Sequence, residues 1–287
     1  MAEKRFMMYQ KKVLVIGATG MLGHLVYRYF ETLKSYKLYN SVYRTPLNEQ
    51  SIICDVRDQK AVKELFKKTQ PDIVVNCVGA LVQESKNNPS NAIYLNALFP
   101  HLLKDHCNNN KAKLIHISTD CVFSGKKGSY NEDDFRDADD IYGRSKALGE
   151  IFDEPHCTLR TSIIGPELKD DGTGLFHWFM SQEGEVDGYI NVFWSGVTTL
   201  ELAKTIHKAI QNDLKGLYHV TNGKKISKYT LLKLFNEIRE RPLVIRKYKD
   251  RSADKSLNTS RKYDFAIPEY EDMIHELKEQ YYFKKTV

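Results

Sequence analysis

Several residue types are scarce in this chain, and each scarcity excludes something. Five cysteines (Cys54, Cys77, Cys107, Cys121 and Cys157) are spread over 287 residues. They are odd in number and form no CxxC pair, which argues against a disulfide framework and a thiolate zinc site. Reduced thiols in a cytoplasmic protein are the simple reading. No apolar run approaches the ~18 residues that a membrane span needs. The start of the chain lacks an apolar h-region, so no signal peptide is expected, and Met8 offers an alternative start. With only eight prolines and sixteen glycines, there is no Pro/Gly-rich linker, low-complexity tract or repeat, and one packed body is expected. The histidines have no ligand spacing, so no metal is expected. Acidic residues are outnumbered and the net charge is +6. The basic residues are scattered rather than gathered on one stripe. That argues against nucleic acid and leaves attraction of a polyanion such as a nucleotide.

The rest is ordinary for a globular protein: 41% hydrophobic and 28% charged residues, at a length that supports a large core. Residues 13–16 are a short β-branched apolar run, read as a strand buried on both faces. Helical spacing follows over 21–33, with strands at 37–44 and 51–54. Then come a helix at 61–68, a strand at 73–75, a helix at 91–107, a strand at 114–117, a helix at 141–152 and a strand at 157–159. This alternation predicts an α/β, Rossmann-type doubly wound parallel sheet with helices on both faces. Beyond Gly165 the rhythm loosens, with helices at 176–181, 200–211, 229–239 and 270–279 and a strand at 216–220. The expected organisation is a dinucleotide-binding domain over 11–165 and a smaller α/β substrate lobe over 166–287. Segments near 190–212 are expected to return to the first domain.

The turn after the first strand reads Gly17-Ala18-Thr19-Gly20-Met21-Leu22-Gly23. Glycine spacing alone is common, but here it follows a strand and opens a helix, the context in which it cradles a pyrophosphate. Glycines let the backbone turn and approach, and the helix N-terminus supplies N–H donors. At the tip of the second strand there is no acidic residue for a ribose 2′-OH. Arg44 stands there instead and favours a 2′-phosphate, hence NADP(H), with NADH still possible. Asp55 and Val56 after the third strand suit an adenine, with a cap on the helix ahead of Ala61 as the alternative for Asp55.

Thr119 lies just past the fifth strand, and Tyr142 and Lys146 are one turn apart on the next helix. Residues i and i+4 share a face, so both can point into the cleft at the carboxyl ends of the strands. A tyrosine near pKa ~10 is a poor acid or base at neutral pH. A nearby ammonium is expected to lower it, and Thr119 to bond the same substrate oxygen.

On these residues the chain resembles an extended short-chain dehydrogenase/reductase, most closely the dTDP-4-dehydrorhamnose reductase group. The matching stretches are 17–23, 76–80, Asn96, 118–125, 130–133 and 142–150, within a resemblance running from about Lys12 to the 251–260 region. The resemblance implies a catalytic trio of Thr119, Tyr142 and Lys146. It implies that Cys77, Val78 and Gly79 pass the cofactor and that Asn96 braces the active-site backbone. Val122 and Phe123 would border the sugar and Thr161 lie near the nicotinamide. Ser195, Thr198 and Arg251 would approach the diphosphate of a nucleotide-sugar substrate. A homodimer is possible.

Dehydratases of this group carry an acidic pair where Asp120 is followed here by Cys121, so elimination chemistry lacks its glutamate. Reduction of the C4 ketone of a nucleotide-activated 6-deoxysugar, in cell-surface polysaccharide biosynthesis, is the reading that remains. An NADP-binding regulatory subunit and an epimerase stay open as alternatives. Ile163-Ile164 and Val197 depart from the group's pattern on the substrate side, leaving the sugar and nucleotide open.

Overall fold

A computed structural model describes residues 9–170 and 172–283. The amino-terminal segment read for a signal peptide lies, through residue 8, outside the described residues. The chain runs β1 (Lys11–Ile16), α1 (Gly23–Leu33), β2 (Tyr36–Val42), β3 (Ile52–Ile53), α2 (Gln59–Thr69), β4 (Ile73–Asn76), α3 (Val82–Asn87), α4 (Pro89–Ile93), α5 (Phe99–Asn109), β5 (Lys113–Thr119), α6 (Ile141–Leu148) and β6 (Cys157–Thr161). It continues through β7 (Ile163–Ile164), α7 (Leu175–Ser181), β8 (Glu185–Trp194), β9 (Val197–Thr198), α8 (Thr199–Gln211), β10 (Gly216–His219), β11 (Ile226–Ser227), α9 (Lys228–Glu237), β12 (Val244–Asp254) and α10 (Tyr270–Phe283).

Seven strands form one parallel sheet in the order β10-β6-β5-β4-β1-β2-β3. The unbroken apolar run of β1 has a direct cause. Val13 and Val15 pack into the core cluster on one face, with Val26 and Phe30 of α1. Leu14 and Ile16 pack into the cluster on the other, with Phe66 of α2 and Leu103 of α5. A strand covered on both sides has no polar face to show. The strand order reverses between β1 and β4, so a cleft opens beyond their carboxyl ends. β10 returns to this sheet, pairing with β6, and α8 packs against α1.

Three departures from the sequence reading have physical reasons. The helix expected over 91–107 is broken by a π-helical turn, Tyr94–Leu98. That turn carries Asn96 inward: Ala80 N donates to its Oδ1 at 2.8 Å, and its Nδ2 donates to Ala80 O at 3.0 Å. The helix expected over 141–152 stops at Leu148, because Glu150 turns away to pair with Arg160. Beyond the first sheet, β8 and β12 are long strands that the sequence reading omits. They form a second sheet, β11-β8-β12, backed by Phe176, Phe179 and Phe235 of α7 and α9. Among the described residues no helix is long and apolar enough to cross a membrane.

Candidate active site

The phosphate loop is shaped by what its glycines leave out. Gly17 sits at φ +81°, a conformation that side-chained residues rarely adopt. A Cβ on Gly23 would lie 2.2 Å from the Gly17 carbonyl oxygen, so α1 could not begin so close to β1. Gly17 and Ala18 donate their N–H groups to Ser41 O, each at 3.0 Å, which ties the loop to the end of β2. Thr19, Gly20, Met21 and Leu22 line a cleft of ≈ 750 Å³, together with Cys77, Val78 and Gly79 after β4. The opposite wall is Thr119, Asp120 and Cys121, Tyr142 and Lys146 of α6, and Thr161. Register puts Thr119 beside Thr161 at the ends of β5 and β6. A wall of glycine and backbone next to a helix N-terminus fits a dinucleotide pyrophosphate.

The catalytic candidates meet because of local capping and close approach. Asp140 caps α6, accepting from Gly143 N at 2.9 Å. A Cβ on Gly143 would stand 2.2 Å from Cys121 O, so the helix is seated directly on the turn that follows Thr119. Tyr142 and Thr119 are thereby brought within reach of each other. Lys146 is 6% exposed, and its Nζ donates to Ile117 O at 2.7 Å. Burial brings the Lys146 ammonium down to about 8. Burial raises the Tyr142 phenol, the nearby Cys121 adds to this, and Thr119 opposes it. The expectation that Lys146 lowers Tyr142 is therefore corrected: its ammonium is turned to Ile117, and desolvation decides the direction. The result is a phenol that carries its proton at neutral pH.

Near Asp120 and Cys121 lie charged residues that sequence reasoning missed. Asp120, 5% exposed, is raised by burial. Lys228, at the start of α9, is brought to about 8 by burial, with Asp120 and Cys121 pulling the other way. Its Nζ lies 5.5 Å from the centre of the Trp194 ring. Lys255 also faces Cys121 and Asp120, whose influence outweighs burial and raises it. No local pattern marks either lysine, since each lies more than a hundred residues from Asp120.

Other predicted residues lie elsewhere. Val122 and Phe123 are fully buried, with Phe123 stacked 4.1 Å from Tyr130 beside Leu257; they support the wall from behind and do not line the cleft. Ser195 is buried and accepts from Leu257 N at 2.7 Å. Thr198 is the N-cap of α8, accepting from Glu201 N at 3.2 Å. Arg251 is exposed on β12, 5.5 Å from the Tyr189 ring centre. Asn96 has no exposed surface and holds Ala80 and Ser145 (3.2 Å to Oγ), a bracing position behind the cleft. Arg44, Asp55 and Val56 lie past β2 and β3, outside the cleft. Val56 is buried, and Asp55 is held low by its bonds to Arg57. The cap of α2 comes from Asp58 and not from Asp55.

The remaining motif residues build a frame. Glu150 accepts from Arg160 Nε and Nη2 at 2.7 Å each, from Ser118 Oγ at 2.6 Å and from Arg136 Nη1 at 3.1 Å. Arg160 Nη1 donates to His219 Nε2 at 2.7 Å. Glu132 accepts from His219 N, Thr259 Oγ1 and Ser260 N at 3.0, 2.7 and 2.8 Å, clasping the carboxyl-terminal chain to the sheet.

With this geometry in place, comparison with known proteins is informative. Residues 11–262 match the family model described as the RmlD substrate binding domain. The spore coat polysaccharide biosynthesis protein SpsK of Bacillus subtilis (strain 168) is 30% identical over 218 residues, 74% of this chain and 74% of that protein. The methionine adenosyltransferase 2 subunit beta of Bos taurus is 30% identical over 248 residues, 80% of this chain and 73% of that protein. In fold, the chain is similar to a dTDP-4-dehydrorhamnose reductase from Bacillus anthracis str. Ames in complex with NADP. The TM-score is 0.79 at 20% identity, covering 95% of this chain and 100% of that one. The chain belongs to the RmlD substrate binding domain family of extended short-chain dehydrogenase/reductases.

Proposed function

We propose that this chain is an NADP(H)-dependent reductase that converts the C4 ketone of a nucleotide-activated 4-keto-6-deoxysugar to the alcohol. The observation that carries the reading is the placing of Thr119, Tyr142 and Lys146 on one wall of a cleft whose other wall is the phosphate loop. The nicotinamide, when bound, supplies the hydride. The chain's own residues manage the oxygen and its proton. Thr119 and Tyr142 hydrogen-bond the ketone oxygen, and Tyr142 donates its proton as negative charge develops there. Burial keeps that proton in place at neutral pH until an alkoxide, a stronger base than phenolate, appears. Lys146, held by Ile117 O at the floor of the cleft, is within the same wall to hold the ribose and carry the compensating positive charge. Lys228 and Lys255 add positive charge near Asp120 and Cys121 of that wall. The similarity to SpsK supports a place in polysaccharide biosynthesis.

A second reading has one observation in its favour: the bovine relative, at equal identity, is named a subunit of an adenosyltransferase. In that reading the cleft binds NADP(H) and the chain serves a partner without turnover. Screening NADPH oxidation against a panel of nucleotide 4-keto-6-deoxysugars separates the two. Turnover with at least one substrate is expected. Tight NADPH binding with no oxidation across the panel would support the regulatory reading.

A further inference from the structure

The second sheet delivers its end to the wall of the cleft. At the close of β8, Phe193 is flanked by Ser227 of β11 on one side and by Asp254 of β12 on the other. The next residues along those two segments are Lys228 and Lys255. Ser227 caps α9, accepting from Thr230 N at 3.0 Å, which fixes where Lys228 leaves the sheet. Asp254 N donates to Gly125 O at 2.9 Å, and a Cβ on Gly125 would meet Lys255 Cγ at 3.0 Å, so the loop after Phe123 is seated on the end of β12. Both ammonium groups thus come to the turn Asp120-Cys121, which lines the cleft directly after Thr119.

The groups gathered there are not matched to one another. Lys228 is half-buried with its Nζ over the Trp194 ring, yet among the described residues its ammonium makes no hydrogen bond and no ion pair within 4.0 Å. Trp194 is 2% exposed, and its Nε1 has no partner among them either. Asp120 accepts from Thr119 Oγ1 at 3.1 Å and makes no ion pair within the same limit. Buried donors and acceptors are normally paired. A hydroxyl can serve both: its oxygen accepts from the ammonium and its proton goes to the carboxylate. With ~2.8 Å to each, it bridges a gap of up to about 5.6 Å. Asp120 and Asp140 balance the charges of Lys228 and Lys255, so the cluster suits a neutral group rather than a further anion.

Position selects the hydroxyl. Thr119 bonds the C4 oxygen in the proposed reaction, and Asp120 is its next neighbour along the chain. In a 4-keto-6-deoxysugar C5 carries a methyl group, so the hydroxyl beside the ketone is the one at C3. We infer that Lys228 is a specificity-determining residue which, with Asp120, grips the C3 hydroxyl of the sugar and so sets the ketone against Thr119 and Tyr142. The inference rests on the reductase reading and names the sugar substituent that the site reads.

Initial rates of NADPH oxidation by the full chain test it. The substrates are dTDP-4-keto-6-deoxyglucose, UDP-4-keto-6-deoxyglucose and the 3-deoxy counterpart of each. Wild type should prefer the 3-hydroxy sugar in kcat/KM by about tenfold or more, since a sugar without that hydroxyl leaves buried charged groups unmatched. Lys228→Met should lose about tenfold on the 3-hydroxy sugar and stay within about threefold on the 3-deoxy sugar, so that the preference collapses. A merely structural role would slow both alike. Lys228→Arg keeps charged donors and should retain part of the preference. Lys228→Gln is read in the same way as Lys228→Met if the latter fails to fold. Wild type that reduces both sugars equally well, or a Lys228→Met variant with the wild-type preference, overturns the inference and leaves the reductase reading standing. Wild type that oxidises NADPH with none of the four overturns both.

Discussion

Replacing Glu150 by alanine takes away the carboxylate that forks onto Arg160, and the structure sets the size of the penalty. Both side chains are essentially sealed from solvent, at 1% and 0% exposure. Arg160 would keep only His219 Nε2 at 2.7 Å and the Glu132 carbonyl at 3.3 Å as acceptors. Its charge would then be buried with no counter-charge, which costs about 3–5 kcal/mol. Ser118 would lose its acceptor at the same time, adding about 1 kcal/mol. Native stability is typically about 5–15 kcal/mol, so a large part of it would be lost. Urea unfolding followed by far-UV circular dichroism measures this directly. The double variant Glu150→Leu/Arg160→Met removes both charges and should recover most of the loss, since the pair is worth far less than the penalty of splitting it. A Glu150→Ala loss below about 1 kcal/mol, or a double variant no better than the single one, would refute the claim that a buried charge pair frames the site.

The pH dependence of stability follows from the same network. Nδ1 of His219 lies 2.6 Å from Asn258 O and Nε2 accepts from Arg160, so the ring fits as the neutral tautomer. Burial, reinforced by Arg160, brings its pKa to about 4. An unfolded histidine binds its proton near pH ~6.5, so the unfolded chain takes up the proton first as pH falls. The stability His219 contributes is complete above about 6.5 and is lost as pH drops through 4. Glu132 is held to about 2 by bonds from Ser260 and Thr259, which outweigh burial; its contribution is present above the unfolded value near ~4.3 and is lost as pH falls through 2. Urea midpoints should therefore drop between pH 7 and 5, and His219→Gln should flatten that slope; an unflattened slope would exclude His219 as its source. Gly23→Ala should weaken NADPH binding at least about tenfold by forcing α1 off the loop, measured by fluorescence titration of the full chain with NADPH. Wild-type affinity would mean that the loop does not hold the pyrophosphate.

Legibility from sequence followed burial. Strands β1, β4 and β5 are covered on both faces, so their apolar runs and the helices between them could be read directly. β12 reads Val-Ile-Arg-Lys-Tyr-Lys-Asp-Arg-Ser-Ala-Asp and is exposed along most of its length; nothing in such a run signals a strand, because only pairing with β8 creates it. That Thr119, Tyr142 and Lys146 share one cleft was legible because strand end and helix period fix where those side chains point. Phe123, Ser195 and Thr198, expected near the substrate from the motifs that hold them, serve the core, a loop and a helix cap. A motif shows that a position matters without showing which way it faces. Lys228 and Lys255 carry no local signature, because Asp120 and Cys121, which they face, are distant in sequence.

The central claim is hydride delivery to a sugar ketone with Tyr142 supplying the proton. Its most direct test is a reaction of the full chain with NADPH deuterated at the transferable C4 position and a nucleotide 4-keto-6-deoxysugar, analysed by mass spectrometry and NMR. The account predicts one deuterium at C4 of the product sugar per NADPH consumed, with Tyr142→Phe slowed by about 10²–10⁴ while still binding NADPH. Product free of deuterium, or a Tyr142→Phe variant within a few-fold of wild type, would contradict it.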